Sequence, residues 1–70
     1  ETESAFRNAI RLAKRGKILI ALDGLLGILK KDKNFRNGQA KTVYLGLLEV
    51  LSDAHPNVRQ YRSDLSTALF

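Results

Sequence analysis

The stretch from Gly16 to Ile28, GKILIALDGLLGI, restricts the fold more than any other part of the sequence. Ile18, Leu19, Ile20, Ala21, Leu22, Leu25, Leu26, Ile28 and, one position on, Leu29 put apolar groups on almost every side of a helix. An apolar stripe of ordinary width needs one neighbour; a helix this apolar has to be covered from two or more sides. It falls short of the roughly 20 apolar residues that a membrane span requires. The expectation is a buried central helix from Lys17 to about Lys31, with Asp23, Gly27 and Lys30 or Lys31 at its solvent edge.

Glycine and proline divide the rest into helical segments. A first helix is expected from about Ser4 to Arg15, with Thr2 or Ser4 as N-cap and Gly16 as its C-terminal glycine. The central helix ends on Lys30 and Lys31, which suit the negative end of the helix dipole. In the loop Asp32 to Gly38, turn formers flank Phe35, which is expected to anchor the loop on the core. Asn37 can cap a third helix from about Gly38 to Leu51. There Ala40, Val43, Tyr44, Leu47, Leu48 and Leu51 follow the amphipathic spacing. A break at Ser52 to His55 leads to Pro56, expected at the first position of a fourth helix. Val58, Tyr61, Leu65 and Ala68 or Leu69 form the stripe of that helix. No segment alternates with a period of two. Gly24 and Gly27 share a face of the central helix; they either admit a close neighbouring backbone or are tolerated there, at roughly 1 kcal/mol each against alanine.

Four helices with short links favour antiparallel neighbours, so the expected fold is all-α, two stacked helical hairpins. Its expected core is Ala9, Leu12, Ile18, Ala21, Leu22, Leu25, Ile28, Phe35, Val43, Tyr44, Leu47, Leu51, Tyr61 and Leu65. With 70 residues, such a chain buries only about 60% of its unfolded surface, so its stability is marginal. It has no cysteine for a disulfide, and a single histidine makes no zinc site. The missing cysteines fit a reducing, cytoplasmic setting. A chain that starts at Glu1 and contains no methionine reads as a piece of a longer protein.

Ala9, Leu12, Gly16, Ile18, Ala21, Leu25 and Ile28 stand at the offsets of a tetratricopeptide unit, which the first hairpin resembles. Small Ala9 and Ala21 let two helices approach, Gly16 allows the tight turn, and Leu25 fills the gap between neighbours. Ala5, Ile18 and Lys33 replace the unit's usual tryptophan, tyrosine and proline. The second half carries a further pattern. It runs Asp32-x-x-Phe35-x-Asn37-x-x-Ala40-Lys41, then His55-Pro56-x-Val58-x-x-Tyr61-Arg62-x-x-Leu65-x-x-x-Leu69-Phe70. This resembles the C-terminal helical region of bacterial thioredoxin-like co-chaperones, the chaperedoxins, with Asn37 and His55 where that family commonly has aspartate. The resemblance spans roughly Gly16 to Phe70. It implies a right-handed tetratricopeptide-like array that follows a thioredoxin-fold domain. It also implies a non-catalytic module whose partners are unfolded clients or chaperone machinery.

The residues themselves offer little chemistry. His55 is the only good base near neutral pH, and with Ser52 and Asp53 it invites a triad reading. Residues so close in sequence rarely reach triad geometry, so a capping or loop role is preferred. Asp32, Asn34 and Asn37 hint at a calcium loop, but Asn37 falls at the glycine site and Val43 at the bidentate glutamate site, and the pattern fails. No enzyme activity, cofactor or metal is expected.

Surfaces remain. The net charge of +5 favours acidic partners or nucleic acid. Arg7, Arg11 and Lys14 form a basic stripe on the first helix; Lys30, Lys31, Lys33 and Arg36 form a second cluster, and Arg59 and Arg62 lie on the fourth helix. Such stripes bind phosphate in nucleic-acid proteins, yet there is no recognition-helix signature, and solvated helix faces look the same. In the tetratricopeptide register Phe6, Ile10 and Ala13 point to the groove in which such arrays hold peptides. Contact with a preceding hairpin is the other reading of these residues, and the slightly favoured one. Either way an apolar patch with a tendency to self-associate is expected. The candidate protein-binding residues are therefore Phe6, Ile10, Ala13, Arg7, Arg11 and Lys14, with nucleic acid as the alternative partner and no membrane.

Overall fold

A computed structural model describes residues 2–51 and 55–69. Among them are four α-helices and no strand: α1 Thr2–Lys14, α2 Ile18–Lys31, α3 Gln39–Leu51 and α4 Val58–Leu69. The expected all-α architecture holds. Thr2 and Ser4 both lie inside α1 rather than ahead of it.

Helix α2 is the axis. Ala21, Leu22, Leu25 and Leu29 are wholly buried, and Leu26 and Ile28 nearly so. Each leucine taken out of water contributes about 1.5–3 kcal/mol. The helix touches α1, α3 and α4, which is how so wide an apolar surface is covered. Only Ile20, Asp23, Gly24, Gly27, Lys30 and Lys31 face water. The Cα atoms fill a slab 32 × 29 × 15 Å. Two helix layers about 8–10 Å apart, with a Cα radius of about 2.3 Å on each side, account for that thin dimension.

The α1–α2 turn follows from Gly16. Its φ of 82° lies in the left-handed region. The amide of Lys17 donates to the Leu12 carbonyl at 3.0 Å and that of Gly16 to Ala13 at 3.0 Å. This pair of bonds is the Schellman closure, which satisfies the last carbonyls of α1. It turns the chain within three residues, and Gly24 comes to rest against Ala9, where an added Cβ would lie 3.6 Å from that of the alanine. Gly27 faces open space. No close backbone approach is met at either position: at Gly24 an added Cβ would make only an ordinary contact with the Ala9 side chain, and Gly27 is simply tolerated.

Helix α3 buries Ala40, Tyr44 and Leu48, four residues apart, with Val43, Leu47 and Leu51 at the margin. The expected core had favoured that margin; the large Tyr44 ring sets the phase of the helix. Phe6, Leu26, Leu29, Ala40, Leu48 and Val58 join the core beyond the expected set, and Leu12, Ile18, Phe35 and Tyr61 are half-buried. Asn37 does not cap α3. Arg36, Asn37 and Gly38 instead adopt φ of 52°, 58° and 88° in succession, and α3 begins at Gln39.

Pro56 does not open α4 either. The Val58 amide donates to the His55 carbonyl at 3.2 Å, closing a β-turn with Pro56 at its second position, where its fixed φ fits. The Asn57 amide donates to His55 Nδ1 at 3.1 Å, so this histidine braces the turn. Ser52 and Asp53, its companions in the triad reading, lie outside the described residues.

Substituting the glycines should separate these roles. Gly27→Ala is expected to raise unfolding stability by about 1 kcal/mol, through helix propensity alone. Gly16→Ala should lower it by about 1–2 kcal/mol, because an alanine resists a left-handed backbone. Urea midpoints of the two variants, shifted in opposite directions, are the check.

Candidate functional site: a cationic groove on the first helix

A groove of about 510 Å³ runs along α1. Arg7, Ile10, Arg11 and Lys14 line one side, one to two turns apart on the same face, and Arg36 and Gln39 contribute the other. Phe6 reaches the groove from below, yet it is only 4% exposed. This corrects the expectation of an open apolar patch: Phe6 is a floor, Ile10 is half-buried, and Ala13 is half-buried and not among the walls.

Phe6 is covered by Phe35 and Arg36. The two rings meet at 5.3 Å, tilted by 53°. Phe35 thus anchors its loop as expected, and the Arg36 guanidinium lies 5.1 Å above the Phe6 ring and 5.9 Å from that of Phe35. Arg36 also grips both carboxylate oxygens of Glu3, through Nε at 3.3 Å and through Nη2. A left-handed backbone costs a non-glycine residue about 1–2 kcal/mol. At Arg36 the fork to Glu3 and the contact with two aromatic faces offset it. The sequence had put Arg36 with Lys30, Lys31 and Lys33. The chain reversal carries it to the α1 stripe instead, 33 residues from its partner, which no local spacing signals.

The groove is therefore one-signed. Its lining holds four cations and no carboxylate. Glu3, beside it, is engaged by Arg36 and more loosely by Arg7 at 3.7 Å. Arg11 and Lys14 are exposed and make no ion pair among the described residues.

A second polar cluster joins α2, α3 and α4. The Tyr44 hydroxyl donates to the Tyr61 carbonyl at 2.8 Å, and the Tyr61 hydroxyl donates to Asp23 Oδ1 at 2.7 Å. Their rings meet edge to face, 6.4 Å apart. Burial, helped by the nearby Asp64 and Asp23, holds the Tyr44 phenol well above its ordinary range. Burial and the hydrogen bond to Asp23 push Tyr61 up to about 12. Both phenols are donors that tie helices together. The sequence had read Tyr44 and Tyr61 as stripe residues and Asp23 as solvent edge. The bond between Tyr61 and Asp23 spans 38 residues, so only the fold reveals it. Among the described residues no group of three or more acidic or histidine side chains is placed to hold a metal. No helix there is long and apolar enough to cross a membrane.

Compared with known proteins, the whole chain, residues 1–70, matches the tetratricopeptide repeat family. The chain belongs to that family. Tetratricopeptide repeats present concave surfaces to protein partners and are typically non-catalytic, which fits a groove walled by α1 and the start of α3. This repeat domain is also similar to an uncharacterised protein of Haemophilus influenzae, with 34% identity over 68 residues. The match takes in 97% of this chain but 31% of that protein, so the domain spans under a third of the relative's length. No solved structure matches it significantly.

The tyrosine cluster yields a pH prediction. Both phenols have folded pKa values raised above the ordinary 10.0, so their stabilising effect is whole below pH 10; the Tyr61 share is lost as pH climbs through about 12, and the Tyr44 share only at higher pH still. The tyrosinate absorbance of the native chain should accordingly lag that of the urea-unfolded chain. Coincident titrations would mean that the hydroxyls are free.

Proposed function

We propose that this domain is a non-catalytic protein-interaction module, the client- or chaperone-binding helical region of a cytoplasmic thioredoxin-like co-chaperone. It forms a single domain in the C-terminal part of a longer chain. The groove on α1 is the observation that carries the reading: a half-buried Ile10 set among Arg7, Arg11, Lys14 and Arg36. A half-apolar, half-charged trough suits a peptide, which brings both kinds of side chain. The membership in the tetratricopeptide repeat family supports a protein as the partner. The pattern from Asp32 to Phe70 supports the co-chaperone assignment, and the greater length of the Haemophilus influenzae relative leaves room for another domain.

The test is suppression of aggregation. The domain should slow light scattering by a chemically unfolded protein as it is diluted from denaturant. Ile10→Glu, which places a carboxylate in the groove, should abolish most of that effect while leaving far-ultraviolet circular dichroism unchanged. An inert wild type, or a folded variant as active as wild type, would contradict the proposal.

A further inference from the structure

We infer that the outer ridge of α3 pairs two copies of this chain, antiparallel, about a two-fold axis that passes through Leu45. The surface is separate from the groove on α1, since none of its residues lines that groove.

The ridge is set by spacing. Lys41, Leu45 and Glu49 recur every four residues, so they stand one above another along one face of α3. All three are exposed. Leu45 is 37% open, whereas every other described leucine is buried or half-buried. A single apolar side chain in water needs no explanation. Leu45, however, has company: with Leu65, Leu69, Arg62 and Ser66 of α4 it lines an open hollow of about 340 Å³ between the two helices. Ile20 and Val50 are more exposed, yet neither lines that hollow.

Charge complementarity under symmetry selects a second copy as the occupant. Two identical helices that run in opposite directions about a two-fold axis bring residue i of one against residue j of the other, and j against i. Lys41 and Glu49 lie about 6 Å of helix rise on either side of Leu45. With Leu45 on the axis, Lys41 of each copy therefore meets Glu49 of its partner, and leucine meets leucine between them. A parallel pairing sets lysine on lysine and glutamate on glutamate. Within one chain the two charges stand about 12 Å apart along the helix, and neither makes an ion pair among the described residues.

The two kinds of contact do different jobs. Exposed ion pairs add little each. Covering Leu45 and the hollow supplies the attraction, and the charges choose the orientation. The net charge of +5 on each copy opposes association, but at physiological salt it is screened over about 8 Å. The dimer is therefore weak and forms as the chain is concentrated. It presents the α1 groove twice, which strengthens the hold on any partner that fills both.

Sedimentation equilibrium of the 70-residue chain in about 150 mM salt tests this. The mass should climb from 7.8 kDa toward twice that value between about 5 and about 500 μM. Lys41→Glu and Glu49→Lys should each weaken the dimer about tenfold or more, and the two together should recover it to within about threefold. Leu45→Glu should leave a monomer with unchanged far-ultraviolet circular dichroism. Because the chain has no cysteine, introduced ones report the register. Under mild oxidation Leu45→Cys should cross-link to itself. Lys41→Cys and Glu49→Cys should cross-link with each other in a mixture and poorly alone.

A mass fixed at one copy throughout would overturn the inference, as would a mass that climbs past two copies. So would a dimer indifferent to both charge reversals, or Lys41→Cys cross-linking to itself as fast as Leu45→Cys. A dimer lost in Arg11→Glu but kept in Leu45→Glu would move the contact to α1 and overturn it equally. None of these readouts involves a bound client, so the suppression of aggregation stands or falls separately.

Discussion

Burial of α2 on three sides is the constraint from which the other features of the molecule follow. A helix carrying leucine or isoleucine on most of its circumference is unstable in water until it has partners on several faces. In this chain α1, α3 and α4 each cover one part of it. Their own amphipathic stripes are narrower because each has only one side to bury. The outer faces of those three helices are consequently left in water, mostly polar but with Leu45 and Val50 exposed on α3, and any function has to be written there.

The connections serve the same end by different chemistry. Gly16 closes α1 with a left-handed glycine, the least costly way to reverse direction in a tight turn. The reversal before α3 is made with Arg36 and Asn37, residues less suited to that backbone. It is held by what Arg36 reaches: a carboxylate on α1 and two aromatic faces. At the far end, Tyr44 and Tyr61 lock α4 to α3 and α2 with hydroxyl donors, and no buried side-chain polar atom among the described residues is left unpaired. The α1–Arg36 clasp does more than brace the fold. It closes the apolar face of Phe6 and moves a fourth cation beside the α1 stripe, so that the groove owes its charge to two distant parts of the sequence.

Much of this was legible from the residues. The helix-breaking glycines and the apolar periodicity located four helices, and the saturation of Gly16 to Ile28 with apolar groups identified the axis. The basic stripe of Arg7, Arg11 and Lys14 was visible as a helix period. What was not legible involved long-range partners. Phe6 does line the groove, but nothing local shows that Phe35 and Arg36 cover its ring, and Asp23 does stand at the solvent edge, but nothing local shows that it accepts a hydrogen bond from Tyr61. Asn37 and Pro56 each have a favoured place at a helix start, and both were used in turns one or two residues earlier. Local preference names the residues of a junction more reliably than it assigns their positions, because the same side chains serve caps and turns alike.

An axis covered from three sides should also be the last element to open. Termini and outer helices fray locally, whereas amides deep in a shared core exchange only when the whole molecule unfolds. Native-state hydrogen exchange is the most direct measurement. The amides of Leu25, Leu26 and Leu29 should exchange with the free energy of global unfolding and follow its full denaturant dependence, while those near the ends of α1 and α4 exchange sooner. Exchange of the α2 amides as early as those of α4, with a shallow denaturant dependence, would contradict the account.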